Sequence, residues 1–116
     1  DNHIIASGGV SKAIEKIRSE VPHTLKIEVE VKTDDDLEQA IKSKADIIML
    51  DNMDCKHLRD AVKKIREILG NTCIIEASGG ISLKTLEEIC KTGIDIVSVG
   101  ALTNSAKAID FSLDFE

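Results

Sequence analysis

The stretch Ile47-Ile48-Met49-Leu50-Asp51-Asn52, IIMLDN, sets the architecture. Four consecutive apolar residues without polar alternation mark a strand covered on both faces, the kind that parallel sheets contain. Such a run ordinarily empties into a plain polar turn. This one stops on a carboxylate and an amide, with no Gly or Pro beside them. A charged group at the mouth of a buried strand needs a reason.

Three further apolar runs accompany A-D-I-I-M-L (45–50): L-K-I-E-V-E-V (25–31), C-I-I-E-A-S (73–78) and D-I-V-S-V-G (95–100). Between them the apolar period changes to that of helices. Leu37, Ala40 and Ile41 share one helical face; Leu58, Val62, Ile65 and Leu69 share a second; Leu86, Ile89 and Cys90 share a third. Thr33 with Asp36 has the spacing of a capping box, and the run Asp34-Asp35-Asp36 suits a helix N-terminus. Gly70 and Gly93 stand where a helix ends. A further helix over 11–20 precedes the first strand, and a short helical segment follows Ala106. The order α-β-α-β-α-β-α-β is an α/β fold with a parallel (βα) repeat, and no linker or charge block divides residues 1–116.

Composition narrows the function classes. A 42% hydrophobic and 31% charged chain of 116 residues is an ordinary soluble domain, with no apolar run long enough to span a membrane and no signal-peptide pattern. The net charge of −6, without a Lys/Arg stripe, argues against nucleic acid and anionic membrane as partners. Aromatic residues at 2% leave no platform for base stacking. Cys55, Cys73 and Cys90 show neither C-x-x-C pairing nor metal-ligand spacing, which predicts free, buried thiols in a reducing compartment and a cytoplasmic protein.

In parallel (βα) architectures the chemistry collects at the carboxyl ends of the strands. Those ends carry Glu30, then Asp51 with Asn52, then Ser78-Gly79-Gly80, then Gly100-Ala101. Two carboxylates on neighbouring strands can hold Mg²⁺ or face a developing positive charge. Glycine-rich turns let backbone N–H groups approach an anion, and helix N-termini add their dipoles. Together they suit a phosphorylated sugar. Blander readings stand beside this one. Glu28 alternates with Glu30 in I-E-V-E-V and can simply face solvent, and an S-G-G turn by itself is commonly a plain loop. His23 beside Pro22 reads as a loop residue and His57 as a solvated residue on a helix's first turn. Ser7-Gly8-Gly9 repeats the letters of 78–80 without a strand before it. His3 has a structural hydrogen-bonding role as its plain alternative.

The segments D-N-H-I (1–4), I-E-V-E-V (27–31), A-D-I-I-M-L-D-N-M (45–53), E-A-S-G-G-I (76–81), G-I-D-I-V-S-V-G-A-L-T (93–103) and I-D-F-S-L-D (109–114), in this order, resemble quinolinate phosphoribosyltransferase. The resemblance implies the later part of an incomplete α/β barrel, the family's N-terminal α/β sandwich domain being absent from these residues. It implies a reaction in which quinolinate and phosphoribosyl pyrophosphate give nicotinate mononucleotide, pyrophosphate and CO₂ with Mg²⁺, in NAD biosynthesis. Glu30 and Asp51 match the family's carboxylates that serve the ribose hydroxyls and the metal, and Ser78, Gly79 and Gly100 match positions that contact the phosphate. The family commonly shows Thr-His-Ser where this chain has Thr103-Asn104-Ser105, so Asn104 would bind pyrophosphate by hydrogen bonding without charge. The family's basic residues that grip quinolinate and pyrophosphate precede Asp1-Asn2-His3, so residues 1–116 alone are expected to be inactive. Exposed sheet edges predict a homodimer or higher homo-oligomer. Two alternatives stay open: a non-catalytic (βα) half-barrel module, and a paralogue of the same fold acting on another pyridine or metal-associated substrate.

Overall fold

The computed structural model describes residues 9–100. The elements run α1 (Val10–Glu20), β1 (Glu28–Val31), α2 (Asp34–Lys42), β2 (Ile47–Asp51), α3 (Cys55–Leu69), β3 (Ile74–Ser78), α4 (Leu83–Cys90) and β4 (Ile96–Ser98). The four strands form one parallel sheet in the order β1-β2-β3-β4, so each helix carries the chain back to begin the next adjacent strand. The helix expected after Ala106 lies outside the described residues.

Strand register sorts the side chains into two sets. Val29, Val31, Ile48, Leu50, Ile75 and Ala77 are buried and belong to one core with Ile14, Leu37, Ile41, Leu58, Val62, Ile65 and Ile89 from the helices. Full burial of an Ile or Leu contributes about 1.5–3 kcal/mol, so this layer holds the helices on the sheet. The opposite, mixed face carries Glu28, Glu30, Asp51, Glu76, Ser78 and Ser98 together with Ile47, Met49, Ile74 and Ile96, its charged and hydroxyl groups making it the more polar of the two. Both glutamates of I-E-V-E-V therefore point to the polar face.

Local chemistry sets the helix ends. The Thr33 hydroxyl accepts the Asp36 N–H at 3.2 Å, as the capping spacing predicts. The reciprocal half differs: the Asp36 carboxylate accepts a hydrogen bond from the Thr33 hydroxyl at 2.7 Å, Asp being a methylene shorter than the Glu of a capping box. Asp54 caps α3, accepting from the N–H groups of Lys56 and His57, both at 2.9 Å. Gly70 follows α3 with φ 59°, a left-handed conformation that costs glycine little.

The first strand begins later than its apolar run. Leu25 is exposed and donates its N–H to Pro22 O in a turn, and Ile27 gives its N–H to the Asp46 carboxylate at 2.9 Å. The same construction recurs one (βα)₂ unit later, where Ile75 N–H donates to Asp95 Oδ2 at 2.7 Å. An arginine from the helix before the isoleucine's own strand, α1 or α3, backs each carboxylate: Arg18 lies 3.8 Å from Asp46, and Arg66 2.7 Å from Asp95. These two clamps tie the amino ends of the strands. For Asp95, burial pushes the carboxyl upward, but the Ile75 N–H and Arg66 outweigh it and hold the group below its ordinary value.

The cysteines are free, and their burial is uneven. Cys73 is buried and Cys55 half-buried, whereas Cys90 is exposed, against expectation. Leu86 and Ile89 already fill the side of α4 that meets the core, and Cys90 lies one residue further round the helix. His23 and His57 are both exposed, as read from the sequence.

Candidate active site

The carboxyl end of β2 is built by close approach. Asp51 is the register partner of Ser78 on β3, and the Asn52 N–H donates to Ser78 O at 2.8 Å. Asn52 takes a left-handed φ of 55°, which turns the chain sharply away from the strand. Gly79 follows with φ 81°, and a Cβ there would lie 2.9 Å from Asp51 Oδ1 and 3.0 Å from Asn52 N. The strand-end carboxylate and the S-G-G turn are packed against one another.

Glu30 joins them through a residue that sequence reasoning passed over. Lys32, just beyond β1, places its ammonium 2.9 Å from Glu30 Oε1 and 3.9 Å from Asp51 Oδ2. The hydrogen bond from Lys32 is the main cause that holds the Glu30 carboxyl below its ordinary value, against the opposing effect of burial. Glu30 in turn raises the lysine. Two carboxylates and an ammonium thus share the rim beside the S-G-G turn. Gly100, exposed, lies just beyond β4, whose Ser98 pairs with Ser78, and so stands at the same end of the sheet. Asn104 and His3 lie outside the described residues, as do the first two residues of Ser7-Gly8-Gly9.

A second missed residue sits deeper on the polar face. Glu76 is buried at 8% exposure and accepts a hydrogen bond from the Ser98 hydroxyl. Glu28, on the same face, has its carboxyl pushed up, first by partial desolvation and then by the negative charge of Glu76. In the sequence Glu76 looks like one polar interruption in an apolar strand. Its two-residue offset from Ser78 puts both on the site's face, and that was the available signal.

The donor set bears on Mg²⁺. Among the described residues no group of three or more His, Cys, Asp or Glu is arranged to hold a metal ion. Glu30 and Asp51 as a pair nevertheless fit Mg²⁺, which is commonly bound by one or two carboxylates while water and substrate oxygens complete its shell. Their shared contact with the Lys32 ammonium shows that both carboxylates reach a single cationic centre. The wide groove next to the rim, of about 800 Å³, is a separate feature: it lies between α2 and α3, with Leu37, Glu38, His57 and Lys64 in its walls and Lys32 and Asn52 at its border with the site.

Comparison with known proteins bears on the family and the fold. Residues 1–114 match the family described as quinolinate phosphoribosyl transferase, C-terminal domain. A probable nicotinate-nucleotide pyrophosphorylase (carboxylating) of Methanocaldococcus jannaschii is 45% identical, over 98% of this chain and 41% of its own length. The human nicotinate-nucleotide pyrophosphorylase (carboxylating) is 40% identical over 97% of this chain and 38% of its own. The solved structure of the nicotinate-nucleotide pyrophosphorylase from Francisella tularensis superposes with a TM-score of 0.80 at 42% identity, covering 95% of this chain and 38% of that one. The chain thus spans less than half the length of the relatives it matches, and its parallel sheet is the partial α/β barrel that the resemblance implied. With the match running from residue 1 to residue 114, the chain belongs to the quinolinate phosphoribosyltransferase family.

Proposed function

We propose that a protein carrying this chain transfers the phosphoribosyl group from phosphoribosyl pyrophosphate to quinolinate with loss of CO₂, giving nicotinate mononucleotide. The observation that carries this reading is the contact between the Asp51 carboxylate and the Gly79 turn. In this reading the carboxylate serves the ribose centre while backbone donors of the turn serve the attached phosphate. In the reaction, Glu30 and Asp51 orient the ribose hydroxyls and face the oxocarbenium-like carbon as the bond to pyrophosphate weakens. Ser78, Gly79 and Gly100 hold the 5′-phosphate through hydroxyl and N–H donors, and Asn104 contributes a neutral hydrogen bond to the pyrophosphate. Preorganised dipoles of this kind stabilise charge without proton transfer from the protein. Glu30 and Asp51 would hold Mg²⁺, which would supply charge neutralisation for the departing pyrophosphate.

The names of the relatives support this reading, as do the two carboxylates on adjacent strand ends. The protein is further proposed to act in the cytoplasm: among the described residues no helix is long and apolar enough to cross a membrane. Self-association as a homodimer or higher oligomer is the expected state, since Ile96 on edge strand β4 and Leu83 at the start of α4 are exposed.

Mononucleotide formation from quinolinate and phosphoribosyl pyrophosphate tests the activity. A complete enzyme containing this chain should turn over, and a polypeptide of residues 1–116 alone should not. The matched residues Glu30, Asp51, Ser78, Gly79 and Gly100 include no basic partner for the dicarboxylate, so the advantage of proximity, about 7–11 kcal/mol at most, is largely lost. Absence of turnover in the complete enzyme would refute the proposal. Sedimentation as a stable monomer at high concentration would refute the assembly.

A further inference from the structure

Position 32 is singled out by the strand geometry. Lys32 follows Glu30 by two residues along extended backbone, so both side chains leave the chain on the same side. The β1–β2 register ends at Val31 opposite Leu50, which makes Asp51 the next residue across from Lys32. A side chain here reaches one carboxylate along its own strand and the other across to the neighbouring strand. The ammonium does so, at 2.9 Å and 3.9 Å. All three side chains keep a path to solvent, with 49% of Lys32, 34% of Glu30 and 26% of Asp51 exposed.

We propose that Lys32 is a tethered counter-ion of the Glu30–Asp51 pair, which a divalent cation must displace, so that the lysine sets the affinity of the pair for that cation. This rests on reading Glu30 and Asp51 as metal-facing carboxylates. Without a bound cation the two carboxylates would repel one another, and the ammonium between them offsets that repulsion. When a divalent cation takes the same place, the attraction becomes repulsion between like charges. The flexible four-carbon stem then lets the ammonium withdraw. Lys32 already borders the groove between α2 and α3, where Asp34 and Asp54 also lie, so negative groups stand on the side to which it would move.

Binding of Mn²⁺ alone, followed through the electron paramagnetic resonance of the free ion, tests this on the 116-residue chain and its variants. Removing one positive charge next to a doubly charged ion should tighten binding by about five- to tenfold in Lys32→Gln, with a further gain in Lys32→Glu. Lys32→Arg keeps the charge and should stay within about twofold of the parent. Asp51→Asn should weaken binding, and Mn²⁺ should broaden the backbone amide signals of residues 30 and 51. Thermal unfolding gives an independent readout: Lys32→Gln should melt lower than the parent without Mn²⁺ and gain more from its addition. If Asp51→Asn weakens binding while Lys32→Gln leaves it unchanged or weaker, the counter-ion role is overturned and the metal reading stands. If Asp51→Asn has no effect, or if neither the parent nor Lys32→Gln binds Mn²⁺, both fall together.

Discussion

A Cβ at Gly79 would lie 2.9 Å from Asp51 Oδ1, so the S-G-G turn and the β2 carboxylate exclude a side chain between them. Gly79→Ala should therefore cost more than left-handed backbone strain alone. Gly70→Ala is the control, because Gly70 is also left-handed at φ 59° yet has nothing within 4 Å of an added Cβ. That control should lose about 1–3 kcal/mol from backbone strain alone. Urea unfolding should show a larger loss at position 79, and equal losses would mean that the turn has room to relax.

Asp51→Ala is expected to affect turnover far more than stability. Its carboxylate is partly exposed and paired with an exposed lysine, a kind of contact that typically contributes no more than about 1 kcal/mol to folding. Removing a preorganised group that faces developing charge costs about 2.7–4 kcal/mol in the transition state. The comparison needs steady-state rates and denaturation midpoints on the same complete enzyme. A variant that unfolds readily but keeps its rate would identify Asp51 as structural.

Much of this arrangement is legible in the sequence because its signals are local. Continuous apolarity marks β2, helical spacing marks α2 and α3, and Asp51 is visible as a charge where a buried strand ends. The remainder depends on what lies beside each residue in space. Lys32 resembles any charged residue after a strand until the register sets it across from Asp51. Glu76 needs β4 beside it before Ser98 can satisfy its carboxylate. Cys90 follows the helical apolar pattern, but the core contact ends one residue before it. The late start of β1 has the same kind of origin, since Asp46 is distant in sequence from the Ile27 N–H it accepts.

Acid should weaken the amino-end clamp built on Asp95. Its carboxyl lies below its ordinary value in the folded chain, so the associated stability is present above the unfolded pKa of about 3.9 and is lost as pH falls through the folded value. Asp95→Ala removes the acceptor for the Ile75 N–H and should cost about 1–3 kcal/mol at neutral pH. Its stability should also fall less steeply with acid than that of the parent. An unchanged acid slope would show that other carboxylates govern the transition.

Glu76→Gln should move the titration of Glu28. The amide can still accept from Ser98, but the negative charge that helps push Glu28 up is gone. Glu28 should then titrate at a lower pH, remaining above its ordinary value because the desolvation is unchanged. A raised carboxyl contributes stability that is present below its unfolded pKa and lost as pH rises through the folded value. The variant should accordingly lose less stability on going from acid to neutral pH. Carboxyl carbon chemical shifts followed against pH would check this, with an unmoved Glu28 as the contrary result.

The paired clamps make the chain one design written twice. Arg18, Ile27 and Asp46 occupy the places that Arg66, Ile75 and Asp95 occupy in the second writing. Counting forward from each clamp, Glu30 corresponds to Ser78, and Asp51 to Gly100. Equivalent rim positions thus bear carboxylates in the first copy, and a hydroxyl and a bare backbone in the second. One repeated frame thus ends in negative charge at the rim of its first half and in neutral groups at the rim of its second.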